Sequence, residues 1–239
     1  MNAYALTDVG RERSMNQDFF FYTLEPVGNL PNLFVVADGM GGHKAGDLAS
    51  RYTIETLLEL IRDSSYRDPV TIISHAIRTV NGKLLEKAAE SPDYAGMGTT
   101  LVVATIDGQT LRVANVGDSR LYVISDDITQ VTRDHSLVEE MVSIGEIDRQ
   151  EARHHANKNI ITKAIGGSKE VEPDVFAVDL FPGDKILLCT DGLTNMVEDS
   201  RIRRVVRDTD NIEDACRILI DLANDAGGRD NITAMLVSV

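Results

Sequence analysis

Apolar and polar residues follow two different periodicities along the chain, and these periodicities predict strands and helices in separate blocks. Short apolar or alternating runs bounded by turn residues are typical of strands. Such runs are Ala3–Thr7, Phe19–Tyr22, Leu33–Ala37, Thr100–Ile106, Thr110–Val116, Arg120–Ser125, Ile128–Val131, Val175–Leu180, Asp184–Thr190 and Asn231–Val239. The four central runs follow one another with short turns, which predicts an antiparallel meander.

Apolar residues at helical spacing, i, i+3 and i+4, predict five helices. They are a first helix between Ala45 and Ile61, a second from Pro69 to Ala88, and further helices at Asp134–Gly145, Ser200–Val206 and Asn211–Asp225. In the third helix, Leu137, Met141, Val142 and Ile144 are expected to face partly inward. Asp68 before Pro69 predicts an N-cap and a first helical residue, and Asn211 with Asp214 predicts a variant capping box.

The block order is strands, helices, strands, helices and a final strand, which does not fit an array of βαβ units. We predict an α+β fold, an α-β-β-α sandwich of two mostly antiparallel sheets face to face with helix pairs on the outer faces. The 239 residues contain no repeat, low-complexity tract or linker, so we expect residues 1–239 to form a single domain.

Net charge, the length of apolar runs and the two cysteines indicate which partners and which cellular compartment to expect. The net charge of -14 argues against nucleic acid or an anionic membrane as a partner, since both would repel the chain. No apolar run approaches the ~18 residues that span a bilayer, and the first residues lack the features of a signal peptide. Cys189 and Cys216 lie in apolar stretches, which suits reduced thiols. We expect a cytoplasmic protein.

Four aspartates stand where an apolar run meets glycine, asparagine or a turn: Asp18, Asp38, Asp191 and Asp230. An Asp-Gly pair is above all a turn signal, and Asp107-Gly108 is expected to be a two-residue hairpin. A turn explains Asp38 alone as well as a ligand does. Repetition beside apolar runs favours, for the set, one hard-cation site assembled by the fold.

Other phosphate and hydrolase chemistries lack their motifs. The chain has no P-loop, no Gly-x-Ser-x-Gly elbow and no His-Glu-x-x-His pair. Neither cysteine is followed six residues later by the arginine of a cysteine phosphatase. Carboxylates favour Mg²⁺ or Mn²⁺, and two such ions can activate a water for attack on a phosphoryl group. Arg13, five residues before Asp18, is a candidate for binding phosphate, whereas Arg11 is expected to be a solvated surface residue.

Several motifs occur in an order that identifies a family. They are Thr7-Asp8-x-Gly10, Arg13, Asn16-Gln17-Asp18, Val36-Ala37-Asp38-Gly39-Met40-Gly41-Gly42-His43, Gly98-Thr99-Thr100, Ala114-Asn115-Val116-Gly117-Asp118-Ser119-Arg120, Thr190-Asp191-Gly192-Leu193 and Gly228-Arg229-Asp230-Asn231-Ile232-Thr233. From Thr7 to the C-terminus the chain resembles the bacterial branch of the PP2C (PPM) family, which are metal-dependent serine/threonine protein phosphatases.

The resemblance implies a binuclear Mn²⁺ or Mg²⁺ site at one end of the sandwich. It implies that Asp38 bridges both ions and that Asp191 and Asp230 complete the shell of one. Asp18, partly through water, and the Gly39 carbonyl would serve the other ion.

The resemblance also implies a third, weaker metal site at Asp118 and Asp191, and it assigns the substrate phosphate to Arg13. It further implies that the polar segment Glu146–Gly167, which we expect to be a partly mobile excursion over the surface, is the flap beside the site.

One position departs from the family pattern. Eukaryotic members have histidine directly after the metal-binding Asp-Gly, where it has been proposed as general acid, and this chain has Met40. His43, beyond two glycines, is either a displaced proton donor or an ordinary loop histidine, so the general acid stays unassigned.

The expected function is metal-dependent hydrolysis of phosphoserine and phosphothreonine on proteins by a metal-activated water. The alternative is a non-catalytic phosphoprotein-binding regulatory module on the same fold. A calcium-stabilised acidic module lacks its Asp-x-Asp-x-Asp-Gly loop. Expected partners are phosphorylated proteins and, by the family's habit, a bacterial serine/threonine kinase of eukaryotic type, and we expect a monomer.

Overall fold

Two antiparallel sheets stacked face to face form the centre of the fold, as described by a computed structural model for residues 1–42 and 45–239. One sheet has the strand order β1-β11-β10-β7-β8, and the other has the order β2-β3-β5-β6-β9 with β4 paired to β3. The strands are β1 Asn2–Asp8, β2 Asp18–Thr23, β3 Leu33–Met40, β4 Gly98–Thr99, β5 Leu101–Asp107, β6 Thr110–Val116, β7 Arg120–Ile124, β8 Ile128–Gln130, β9 Asp174–Asp179, β10 Lys185–Cys189 and β11 Ile232–Ser238.

Two pairs of helices cover the outer faces of the sheets. The helices of the described residues are α1 Ala45–Arg62, α2 Pro69–Ala88, α3 Leu137–Ser143, α4 Arg149–His154, α5 Asp191–Thr194, α6 Asp199–Asp208 and α7 Ile212–Asp225. α1 and α2 pack on the sheet that contains β3, whereas α6 and α7 pack on the sheet that contains β11. The predicted α+β sandwich is therefore confirmed.

Three apolar layers hold the sandwich together. The layer between the sheets includes Phe34, Val102 and Met235, all nearly inaccessible to solvent. The other two layers lie between each sheet and its helices, with Ile77 and Leu219 as members. Burial of continuous apolar runs on both faces explains why strands such as β3 and β5 read as unbroken apolar stretches rather than alternating ones.

Several local expectations were wrong or incomplete. The third helix begins only after Ser136, whose hydroxyl accepts from the Glu139 N–H. Leu137, Met141 and Val142 are half-buried as expected. Val138 is buried as well, whereas Ile144 is 76% exposed. Asn211 caps α7, but its side chain accepts from the Glu213 N–H, and no capping box with Asp214 is formed within the described residues. The helices α4 and α5 were not predicted.

Over the residues that the structure describes, no helix combines the length and the apolar character that crossing a bilayer requires.

Candidate metal centre

Strand register brings the first two aspartates together. Asp18 opens β2 and Asp38 lies near the end of β3, and the two residues are direct partners in the antiparallel ladder. Directly opposite residues of such a pair have Cβ atoms about 4.5–5.5 Å apart. Two carboxylates that are twenty residues apart in sequence are thus neighbours because of the backbone alone.

The sheet that contains β10 and β11 contacts Asp18 through two threonines. Thr190 lies just after β10, and its Oγ1 accepts from the N–H of Thr233 in β11 at 3.0 Å. Both hydroxyls donate to Asp18 Oδ2, that of Thr190 at 2.8 Å and that of Thr233 at 2.6 Å. Asp191 follows Thr190, and Asp230 lies three residues before Thr233. The hydroxyl pair therefore links the two sheets at the aspartates.

The glycines after Asp38 and Asp191 are required for close approach rather than for a turn. A Cβ on Gly39 would lie 2.0 Å from the Gly46 carbonyl oxygen, and one on Gly192 would lie 1.9 Å from the Asn231 carbonyl oxygen. By contrast, Gly108 has φ +62° and, with Gln109, forms the two-residue loop of a hairpin closed by Asp107 and Thr110. The hairpin prediction is confirmed, with Asp107 itself inside β5.

Asp118 reaches the cluster from the turn between β6 and β7, where it is 6% exposed. The neighbouring Ser119 hydroxyl is bonded to Thr100 Oγ1 at 2.7 Å, and Thr100 Oγ1 accepts from the Asp38 N–H at 2.9 Å. The Thr99 hydroxyl donates to the Asp38 carbonyl oxygen at 2.8 Å. Buried hydroxyls thus fix the backbone of Asp38 relative to Asp118.

Burial and mutual repulsion raise the pKa values of four of these carboxyls. Desolvation raises the pKa of Asp18 to about 7, against the lowering effect of the two threonine hydroxyls, and raises that of Asp191 to about 6, with repulsion from Asp230 adding to it. The pKa values of Asp38 and Asp118 also lie well above the ordinary range, first because of burial and then because of neighbouring aspartates. Five carboxyls therefore share one electrostatic field.

The donor set fits a hard divalent cation. Within the described residues, Oδ1 of Asp18, Asp118 and Asp191 is buried and accepts no hydrogen bond, which is costly unless a cation or water occupies that place. In the same part of the chain, no three His, Cys, Asp or Glu side chains already converge as a complete ligand set for one ion. Mg²⁺ usually keeps several waters and uses one or two carboxylates, so a loose cluster completed by water and a carbonyl such as that of Gly39 suits it.

Arg13 lies at the rim of the cluster. Its Nη2 donates to Asp230 Oδ2 at 2.8 Å, and the two side chains are 51% and 32% exposed. Asn231 secures the loop that carries Arg13, because its amide accepts from the Gln17 N–H and donates to the carbonyls of Val9 and Met15. The arginine is thus held beside the aspartates.

Sequence reasoning missed Asn195. Its Nδ2 donates to Asp191 Oδ2 at 2.8 Å, and its Oδ1 accepts from Lys158 Nζ at 3.0 Å. Asn195 follows Asp191 by four residues, the spacing at which side chains meet on a helix, but the helix α5 was not predicted. The hydrogen bonds from the Thr190 and Thr233 hydroxyls to Asp18 were also missed, although both threonines stand in the quoted motifs.

The flap segment (Glu146–Gly167) lies beside the cluster and contains a helix. Asp148 and Glu151 form a capping box at the start of α4, and a β-bridge joins Ile165 to Thr99. The Gly166 N–H donates to Asn81 Oδ1 at 2.8 Å. His43 lies outside the described residues, so its candidacy as proton donor is not addressed by the structure.

Comparison with known proteins decides the family. The sequence profile described as protein phosphatase 2C matches residues 10–231. The chain belongs to the PP2C family. It is 40% identical to protein phosphatase PhpP of Streptococcus pneumoniae over 245 residues, which cover 100% of this chain and 98% of that one.

Solved structures agree with this assignment. Serine/threonine phosphatase Stp1 from Staphylococcus aureus has a TM-score of 0.92 at 38% identity, with 99% of this chain and 94% of that chain covered. The catalytic domain of the serine/threonine protein phosphatase PstP, in complex with two manganese ions, has a TM-score of 0.86 at 33% identity, with 98% and 96% covered.

The chain is a serine/threonine protein phosphatase that acts on phosphorylated proteins, and its family is metal-dependent. Nothing in these comparisons favours the non-catalytic alternative.

Proposed function

We propose that the aspartate cluster holds two Mn²⁺ or Mg²⁺ ions and that the enzyme removes phosphate from phosphoserine and phosphothreonine without a protein nucleophile. The observation that carries this proposal is the set of buried Oδ1 atoms of Asp18, Asp118 and Asp191 without a hydrogen-bond partner among the described residues. When bound, the ions supply a water that is nucleophilic near neutral pH and neutralise charge on the phosphoryl group.

The proposed ligand roles follow the position of each residue. Asp38, whose pKa is raised by four other aspartates after desolvation, is the bridging ligand. Asp191 and Asp230, which repel each other, serve one ion, and Asp18 with the Gly39 carbonyl serves the other. Asp18 keeps Oδ2 for Thr190 and Thr233 and offers Oδ1.

A third and weaker ion is proposed at Asp118 and Asp191. Asp118 and Asp191 line the same cavity, and repulsion from Asp191 is, after burial, the largest effect that raises the pKa of Asp118. Asp118 lies in a turn rather than in a strand, which is consistent with a weaker site.

Arg13 is proposed to bind the substrate phosphate. Its ion pair with Asp230 keeps the guanidinium at the cluster, and Asp230 retains acceptor capacity because a carboxylate has about four lone-pair sites. The guanidinium can then turn two N–H groups toward phosphate oxygens and orient the ester for in-line attack.

The domain organisation, oligomeric state, compartment and kinase partner of the enzyme are also proposed. We propose that residues 1–239 form one catalytic domain, that the protein is monomeric, and that it acts in the cytoplasm opposite a serine/threonine kinase of eukaryotic type. The free, buried Cys189 and Cys216 are compatible with a reducing compartment.

Metal removal tests the proposal. Hydrolysis of p-nitrophenyl phosphate and of a phosphothreonine peptide should stop with EDTA and return with Mn²⁺ or Mg²⁺. Calorimetric titration of the stripped protein with Mn²⁺ should show two sites and a third, weaker one. Full turnover in metal-free buffer, or a single bound ion at full activity, would contradict the binuclear assignment.

A further inference from the structure

Two consecutive residues, Asp134 and His135, hold the chain just before and just after Asp118. Asp118 lies in the turn between β6 and β7, and Arg120 is the first residue of β7. Asp134 Oδ2 accepts from Nε and Nη2 of Arg120 at 3.0 and 2.7 Å. His135 Nδ1 accepts from the Gly117 N–H at 3.0 Å, and the His135 N–H donates to the Gly117 carbonyl oxygen at 3.0 Å. The position of Asp118 is thus set by contacts of its neighbours.

The same turn packs closely against Thr100. Gly117 has φ +107°, and a Cβ there would lie 2.6 Å from Thr100 Cγ2, so only glycine fits. Thr100 Oγ1 is also bonded to the Ser119 hydroxyl at 2.7 Å. The turn has little room to shift while these contacts and the bond to His135 are all in place.

The surroundings of the His135 ring select one tautomer. Nδ1 accepts from the Gly117 N–H and therefore carries no proton, so the proton of the neutral ring lies on Nε2. Asp174 Oδ2 lies 3.2 Å from Nε2 and accepts this N–H. Lys163 Nζ also lies 3.1 Å from Nε2, but it donates to Asp174 Oδ1 at 3.0 Å. Burial and the neighbouring Lys163 lower the pKa of His135 and so keep the ring neutral, against the raising effect of Asp174.

The proposed chemistry leaves His135 without a role of its own. Its side chain is only 10% exposed, and none of its hydrogen bonds among the described residues reaches an aspartate of the cluster. It can act on Asp118 only through the backbone of Gly117. Such support matters more for Asp118 than for Asp18 and Asp38, which the β2–β3 ladder already places.

We propose that His135 is a positioning residue that fixes the turn of Asp118 and thereby sets the affinity of the third, weaker ion site. Asp174 holds the ring in the tautomer that accepts from Gly117. This inference rests on the proposed function of the aspartate cluster. His135 contacts neither an ion nor the substrate, so its loss should weaken binding at the third site and leave the two tighter sites in place.

Calorimetric titration of the metal-stripped full chain with Mn²⁺ tests the inference. His135→Phe keeps a ring of similar size without an acceptor, whereas His135→Asn places an amide oxygen near the position of Nδ1 and can still accept from the Gly117 N–H. His135→Gln extends its amide toward Asp174 instead. The Phe and Gln variants should lower the affinity of the weakest site about 10-fold or more and leave the two tighter sites within about twofold, as expected for a residue that orients a metal ligand. His135→Asn should stay close to wild type.

Two further measurements separate positioning from a general loss of structure. The Gly117 amide should exchange its hydrogen faster in the Phe and Gln variants than in wild type or in His135→Asn, because only the first two lack its acceptor. Asp174→Ala frees the other tautomer and should weaken the same site by a smaller factor. His75→Phe changes an exposed histidine of α2 and should leave all three sites unchanged.

The outcomes distinguish this inference from the proposed function. Weakening confined to the weakest site, with recovery in His135→Asn, supports it, and the contrast between the Asn and Gln variants decides even where His135→Phe does not fold. Equal weakening of all three sites, an unchanged third site in both His135→Phe and His135→Gln, or only two sites in the wild-type protein would overturn it, while metal-dependent turnover would still support the proposed function. A wild-type protein that binds no Mn²⁺ would reject the proposed function and the inference with it.

Discussion

The aspartate cluster and the flap segment adjoin each other, but the chain builds them in different ways. Backbone register sets the cluster, since Asp18 and Asp38 are direct partners in a ladder and buried hydroxyls fix their neighbours. The flap segment instead contacts Asn195 through the long side chain of Lys158, and only its end, at Ile165, is joined to Thr99 by a β-bridge. The aspartates are thus held by strands and by the turns beside them, whereas Lys158 extends from a segment between regular elements.

The largest loss of activity is expected when an aspartate of the cluster is replaced, and an aspartate of a hairpin serves as the control. Asp38→Asn should lower kcat for p-nitrophenyl phosphate on the order of 10³-fold at saturating Mn²⁺, because the ions supply several kcal/mol of transition-state stabilisation. Asp107→Asn also changes an aspartate followed by glycine, but in an exposed hairpin, and should stay within about twofold of wild type. Near-normal turnover in Asp38→Asn would remove the bridging assignment.

The metal-free protein should lose stability as pH rises, which is the opposite of ordinary acid denaturation. The folded-state pKa values of Asp18 and Asp191, about 7 and about 6, lie above the ordinary value of 3.8. A raised folded pKa contributes stability that is complete below the unfolded pKa and is lost as pH rises through the folded pKa. The loss should therefore run from about pH 4 to about pH 7 and amount to several kcal/mol, since one pKa unit corresponds to about 1.4 kcal/mol.

Urea unfolding of the EDTA-treated protein at several pH values measures this loss. Asp18→Asn should flatten the profile, since a neutral amide replaces one of the titrating groups that face Asp38, Asp191 and Asp230. Saturating Mn²⁺ should stabilise the protein more at pH 7.5 than at pH 5, because ligation requires deprotonated carboxylates. A metal-free protein that gains stability steadily up to pH 7 would contradict the clustering of these carboxyls.

Much of the fold could be predicted because its elements repeat one local pattern. The unbroken apolar runs of β3 and β5 and the apolar stripes of α1 and α2 specify elements without knowledge of their partners. α4 and α5 escaped prediction because they have six and four residues, too few for a periodic pattern to emerge. The start of α3 was misjudged because it depends on the Ser136 cap rather than on periodicity.

The aspartates of the site could be predicted as a set, but the roles of the residues that hold them in place could not. Asp38-Gly39 resembles a turn in sequence, and only the 2.0 Å approach of a Gly39 Cβ to the Gly46 carbonyl oxygen shows why glycine stands there. Thr233 stands in a quoted motif, but the motif does not reveal its role, which depends on a contact between the two sheets. The role of Asn195 depends on a contact along a helix that was not predicted. Such contacts follow from tertiary structure.

Thr233→Val tests whether those supports matter to the chemistry. Thr233 donates to Asp18 Oδ2 at 2.6 Å, and its loss should raise the Mn²⁺ concentration for half-maximal activity about 10-fold, as for other residues that orient a metal ligand. Thr233→Ser keeps the hydroxyl and should restore the wild-type value, which a merely structural role of the methyl group would not explain. An unchanged Mn²⁺ requirement in Thr233→Val would place Asp18 outside the ligand set.

Arg13→Ala tests the rim of the cluster. A charge-assisted contact contributes about 1.5–3 kcal/mol when buried and less at a side chain that is 51% exposed, so KM for a phosphopeptide should rise about 3- to 10-fold with a smaller change in kcat. Arg11→Ala, at a neighbouring exposed arginine, should have little effect. An unaltered KM in Arg13→Ala would return Arg13 to a surface role as the partner of Asp230.

The smallest effect is expected in the flap segment, at His154 and His155. His154 is exposed at the end of α4, and His155 accepts from the Asn157 N–H within the same segment, so neither contacts the aspartates through a bond that the described residues show. The double change to alanine should lower kcat/KM for phosphopeptides about twofold, as for a surface contact, and leave p-nitrophenyl phosphate unaffected because that substrate is too small to touch the flap segment. The ratio of the two effects is the measurement that decides. Equal losses on both substrates would mean that these histidines support the metal centre or a proton transfer, and the assignment of substrate selection to the flap segment would be withdrawn.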